Sequence, residues 1–169
     1  MKLDTRKLAI SAMLITLDVL FTRMIAINTP VMKVGFGFAA VAISGLLYGP
    51  LWAMLTAALG DFVGSMLFPV GPFFPGFTIT AALTGLIFGI LLYKKQGSLW
   101  RPVLASFLNC LFITLLANTA LIAYISGAEF GPLFATRIVQ FFVMFPVQSV
   151  VLLWLSKSRL MQLINENYT

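Results

Sequence analysis

The chain has 169 residues, of which 60% are apolar and 9% charged, with a mean hydropathy of +1.02 and a formal net charge of +6. A soluble domain carries roughly a quarter charged residues, so this composition excludes an ordinary water-soluble fold and points to one membrane domain over residues 1–169. Histidine is absent and Cys110 is the single cysteine, which excludes an internal disulfide and the commonest metal ligand and general base at neutral pH.

Six apolar segments follow one another, and they predict an all-α integral membrane bundle of six transmembrane helices. The first runs from about Leu8 to Ile25. The second, Gly35 to Tyr48, is shorter than the roughly 17–25 residues that a spanning helix needs. Tyr48-Gly49-Pro50 turns the chain into the third, Leu51 to Leu67. The fourth runs from Phe77 to Tyr93, the fifth from Val103 to Ser126, and the sixth from Leu133 to Ser156. Between the third and fourth lies Leu67-Phe68-Pro69-Val70-Gly71-Pro72-Phe73-Phe74-Pro75-Gly76-Phe77-Thr78, with three prolines, two glycines and four phenylalanines after Leu67. Proline fixes φ and removes a donor, so no helix continues through this stretch. It reads as a preshaped aromatic loop at one membrane face, suited to a flat ring, or as an apolar turn packed on its neighbours. The spacing Gly45/Gly49, Gly60/Gly64, Gly85/Gly89 and Gly127/Gly131 permits close backbone approach where it falls within helices. Ala9, Ala12 and Thr16 form a small-residue stripe on the first helix, open to internal packing or to another membrane subunit.

Basic residues orient the bundle. Lys2, Arg6, Lys7, Lys94, Lys95, Arg101, Lys157 and Arg159 make eight of the 11 and fall on one side of a six-segment layout. That side is the cytoplasm, with both termini there. Arg23, Lys33 and Arg137 break the pattern by lying at the outer face. A charge in the membrane costs a few kcal/mol and usually marks a function. Snorkelling to lipid phosphate is the structural alternative.

Three outer cations suit an anion such as a carboxylate pair, which an arginine can grip with two parallel hydrogen bonds. Arg137, Gln140, Met144 and Gln148 share one face of the sixth helix. Asp61, in the outer half of the third, needs a partner: a basic residue or a ligand's amino edge. Asp18 is also in the membrane. An α-helix sets it roughly 140° from Arg23, so the two should not pair within the helix, and a partner on another helix is expected. Asn118 and Thr114 share a face of the fifth helix, with Asn109 opposite. No catalytic or nucleotide-binding motif occurs, so powered transport needs a partner.

The stretch Arg23-Met24-Ile25-Ala26-Ile27-Asn28-Thr29-Pro30, followed by Lys33-Val34-Gly35-Phe36-Gly37-Phe38, resembles the substrate-binding (S) components of energy-coupling factor vitamin transporters. Gly60-Asp61-Phe62-Val63-Gly64 and the loop from Phe68 to Thr78 resemble the folate-specific branch of that family. The resemblance implies a high-affinity membrane binding subunit of an ABC-type importer, not an enzyme. It implies folate as the transported ligand, with no cofactor and no metal. It also implies a transmembrane coupling subunit and two ABC ATPases as partners, and delivery of the ligand by toppling in the bilayer. The substrate-binding residues expected on this basis are Arg23, Lys33, Asp61, Phe68, Gly71, Phe73, Phe77, Thr78, Asn118, Arg137 and Gln140. The rings of Phe68, Phe73 and Phe77 would meet the flat rings of folate, Asp61 the pterin amino edge, and Arg23, Lys33 and Arg137 the glutamate carboxylates. Ala12/Thr16 departs from the family's small-residue pattern for docking the coupling subunit. Two other functions are consistent with the residues: an S component for riboflavin, thiamin or another aromatic vitamin, and a small integral-membrane lipid enzyme.

Overall fold

A computed structural model describes residues 5–28, 33–69, 73–94, 98–127 and 129–158. Helix α1 (Thr5–Val19) continues into a π turn (Leu20–Met24). A two-residue antiparallel hairpin follows, β1 (Ile27–Asn28) on β2 (Lys33–Val34), with Ile27 opposite Val34 and Asn28 opposite Lys33. Then come α2 (Gly37–Tyr48), α3 (Pro50–Leu67) and α4 (Pro75–Leu92). Helix α5 (Trp100–Leu108), a π segment (Asn109–Ala117) and α6 (Asn118–Ser126) join into one rod, and α7 (Phe130–Lys157) closes the bundle. Among the described residues this gives six helical rods. Four of them, α3, α4, Trp100–Ser126 and α7, are long and apolar enough to cross a membrane.

The rods break where backbone chemistry requires it. Gly49 has φ +88°, open to glycine at little cost, and Pro50 starts α3 where its missing N–H is not needed. Pro75 starts α4 in the same way. Gly127, at φ +64°, is the left-handed cap of α6. Pro146 sits inside α7, which nonetheless runs on to Lys157. Its ring lies on the exposed side of the helix, and α7 continues past it without a break.

Lipid supplies no hydrophobic drive between helices, so close packing holds the bundle together. Phe88, Leu46, Leu92, Leu152, Ala105 and Cys110 form the centre of the core, contributed by α2, α4, α5, α7 and the π segment between α5 and α6. Large apolar side chains such as Met13, Tyr124, Phe142 and Trp154 lie on the outside, as lipid contact requires. The glycines of α4 carry the tightest approach. A β-carbon at Gly85 would collide with the Ala53 backbone and one at Gly89 with Pro50, while Gly45 abuts Gly89 itself. Gly89→Ala is therefore expected to lower the melting temperature of the detergent-solubilised protein, because backbone cannot yield as a flexible side chain does. The expected cost is about 1–3 kcal/mol; an unchanged melting curve would contradict the packing described. The pair Gly127/Gly131 does not pack as its spacing predicts. Gly127 ends α6, Gly131 belongs to α7, and no described atom comes within 4 Å of a β-carbon built at either. The small residues Ala9, Ala12 and Thr16 lie exposed on α1, so the stripe faces outward.

Candidate functional site

The C-terminal half of α3 carries a polar cluster. Asp61 Oδ1 faces Arg23 Nη2 at 3.4 Å, and Asp61 Oδ2 accepts a hydrogen bond from Thr78 Oγ1 at 3.0 Å. The Arg23 side chain is 10% exposed and Asp61 23%. Three elements thus meet at one carboxylate: the π turn after α1, helix α3 and the first turn of α4. Gly64 makes room for the arginine, since a β-carbon there would press on Arg23 Nε. That Nε is buried and has no hydrogen-bond partner among the described residues. A buried donor left unpaired is costly, so it awaits an acceptor.

One turn inward, Asp18 is buried against the same helix. Its carboxylate occupies the space left by Gly60 of α3 and Gly37 of α2, and a β-carbon at either would collide with it. Asp18 and Arg23 therefore both face α3, five residues apart, where an α-helix would separate them by roughly 140°. The cause is the π turn. Ile25 N–H bonds to Leu20 O, five residues back, at 3.1 Å, and the wider turn brings positions i and i+5 onto one face.

The same effect corrects a second expectation. Asn109 does not lie opposite Asn118. Thr84 Oγ1 donates to Asn109 Oδ1 at 2.8 Å, and Thr80 Oγ1 to Asn118 Oδ1 at 2.8 Å, so both asparagines face α4. Asn109 begins the nine-residue π segment and Asn118 follows it, and the wider winding covers the interval in roughly two turns instead of the two and a half of an α-helix. Asn109 Nδ2 also donates to Gln148 Oε1 at 3.1 Å, and Cys110 Sγ reaches the same oxygen at 3.4 Å. This buried network ties α4, the π segment and α7 together.

The aromatic residues divide around the polar cluster. Phe73 meets Phe62 edge to face at 5.7 Å, beside Asp61 on α3. Phe77, in the first turn of α4, meets Phe74, which in turn touches Tyr124 of α6. Phe68 caps α3 through its N–H to Gly64 O and is exposed. On α7, Arg137 Nη1 donates to Gln140 Oε1 at 2.8 Å; Gln140, Met144 and Gln148 are buried on the face that periodicity assigned them. Strand β2, which carries Lys33, packs against α7. Gly71 and the side chain of Lys33 lie outside the described residues. Among the described residues no three His, Cys, Asp or Glu side chains gather as a metal site.

The structure thus brings Arg23, Asp61, Thr78 and Phe73 into one region and places Arg137 with Gln140 on α7. Arg23, read from sequence as a partner of the glutamate tail, stands at Asp61, for which a basic residue was one of the two expected partners. Sequence reasoning missed Phe62, Phe74, Thr80 and Tyr124. Thr80 had a usable signal, as a hydroxyl on an apolar helix that needs a partner, while the ring contacts depend on packing alone.

The fold is thus a helical membrane bundle with a polar cluster at one end. The model of the family "ECF transporter, substrate-specific component" matches residues 6–157, and the chain belongs to that family. Its members are transporter components, not enzymes. Among its relatives is the folate transporter FolT of Clostridium novyi (strain NT), 40% identical over 141 residues, which are 83% of this chain and 82% of that one. FolT of Leuconostoc mesenteroides is 32% identical over 157 residues, 87% and 82% of the two chains. A crystal structure of FolT bound with folic acid superposes with a TM-score of 0.86 at 31% identity, covering 90% of this chain and 93% of that one.

Proposed function

We propose that this chain is the folate-binding S component of an energy-coupling factor importer. It takes folate from outside and passes it inward with a coupling module. The observation that carries the reading is the half-buried Arg23–Asp61–Thr78 cluster beside the Phe62/Phe73 pair, in a chain whose relatives are folate transporters. A pterin edge presents amino and ring N–H donors next to ring acceptors. Asp61 accepts from the former, and the unpaired Arg23 Nε donates to the latter. Phe73 and Phe62 cover the flat ring. Folate is extended, so Arg23 and Asp61, 3.4 Å apart, serve the same end of it. The tail then falls to Arg137, held by Gln140, and to Lys33 on the strand that packs on α7. Phe68, Gly71, Phe77, Thr78 and Asn118 complete the set of binding residues.

In this reading all six rods lie in the bilayer, α2 being the short one, and both termini face the cytoplasm of a bacterial cell. The partners are one transmembrane coupling subunit and two ABC ATPases. The exposed stripe of α1 borders an apolar groove of about 320 Å³ against α3, lined by Ala12, Ile15, Trp52 and Leu59 among others. It gives the coupling subunit a surface at the cytoplasmic half.

The test is a purification from folate-containing medium followed by extraction and mass spectrometry, with folic acid, riboflavin and thiamin then offered to the emptied protein. A co-purified folate and selective rebinding of folic acid are expected. Riboflavin or thiamin in its place would move the chain to another vitamin.

A further inference from the structure

Arg23 reaches Asp61 from the π turn Leu20–Met24, and one side chain in the middle of that turn bonds back across the change from the tight helix to the wide one. Thr22 Oγ1 donates to Asp18 O at 2.7 Å and reaches Val19 O at 3.3 Å. Hydroxyls that bond back into a helix in this way loosen and bend it. The other branch of Thr22 is fixed as well: its methyl carbon packs so closely on Gly37, the first residue of α2, that a β-carbon there would collide with it. A β-branched side chain held at both branches has one rotamer. We propose that Thr22 is a positioning residue for ligand binding: its hydroxyl holds the π turn open, and the π turn keeps Arg23 on the face of α3 that carries Asp61 and Gly64. Without the wide turn, Arg23 would rotate away from the carboxylate, toward the roughly 140° separation from Asp18 that an α-helix imposes. The inference rests on the folate reading only for its ligand.

Two variants separate the branches. Thr22→Val keeps the methyl and loses the hydroxyl. Thr22→Ser does the reverse. Folic acid titrated calorimetrically, up to millimolar concentration, should bind Thr22→Val roughly three- to tenfold more weakly than wild type, the scale of one hydrogen bond. Thr22→Ser should bind within about twofold of wild type. In an Arg23→Ala background, Thr22→Val should add no further loss, because Thr22 acts only through the arginine. A loss carried undiminished into that background, a serine variant as weak as the valine one, or a valine variant equal to wild type would each overturn the assignment. A ligand-free crystal structure of Thr22→Val gives a reading independent of any ligand. Arg23 displaced from Asp61 supports the assignment, and a retained pair overturns it even if wild type binds no folic acid, an outcome that would sink the folate reading by itself.

Discussion

Asp61→Asn is expected to weaken folic acid and pteroic acid by the same large factor, more than about tenfold, while the protein still inserts in the membrane. Asparagine keeps the size of the side chain but not its charge. It leaves the Arg23 guanidinium with no counter-charge, and where the carboxylate offered two acceptor oxygens the amide offers one, its NH₂ being able only to donate, to the Thr78 hydroxyl. Removing one partner of a buried, hydrogen-bonded charge pair costs roughly 2–5 kcal/mol, and each 1.4 kcal/mol is about tenfold in affinity. The loss should not depend on the glutamate, because Asp61 serves the ring. Calorimetry with both ligands checks it; normal binding by the variant would make the ion pair a purely structural contact.

Arg137→Ala should behave in the opposite way. Its guanidinium reaches Gln140 at 2.8 Å and pairs with no carboxylate among the described residues, so in the proposed reading the ligand's tail is its counter-ion. Folic acid should lose more than about tenfold and pteroic acid, which lacks the glutamate, much less. Arg23→Ala supplies the contrast, since its loss should be shared by both ligands. Equal losses for folic and pteroic acid in Arg137→Ala would assign that arginine to the fold or to lipid.

The contrast between the two arginines also marks where sequence reasoning stopped. The apolar segments, their Pro and Gly breaks and the outer polar residues were legible because each is local: composition defines a span, Pro50 and Pro75 define a helix start, and a charge inside an apolar run calls for a partner. The pairing of Arg23 with Asp61 joins residues 38 positions apart and depends on how α1 lies on α3. The π segments were not legible at all. Counting at 3.6 residues per turn assigns Asp18 and Arg23, or Asn109 and Asn118, to different faces, and nothing in the residue types announces the wider winding. Both departures fall where polar side chains must converge. Tertiary hydrogen bonds, including Asn109 to Gln148 and Thr80 to Asn118, offset the cost of the rarer turn there. Periodicity did hold for α7, where Gln140, Met144 and Gln148 are buried together.

The central claim is that this chain, without ATP or partner subunits, binds folate with its ring at Asp61. Calorimetric titration of folic acid into the purified, ligand-depleted protein in detergent tests it most directly, with Asp61→Asn titrated alongside. Saturable one-to-one binding by the wild type, sharply weakened in the variant, is the predicted result. A wild type that releases no heat with folic acid, or a variant that binds as tightly as the wild type, would contradict it.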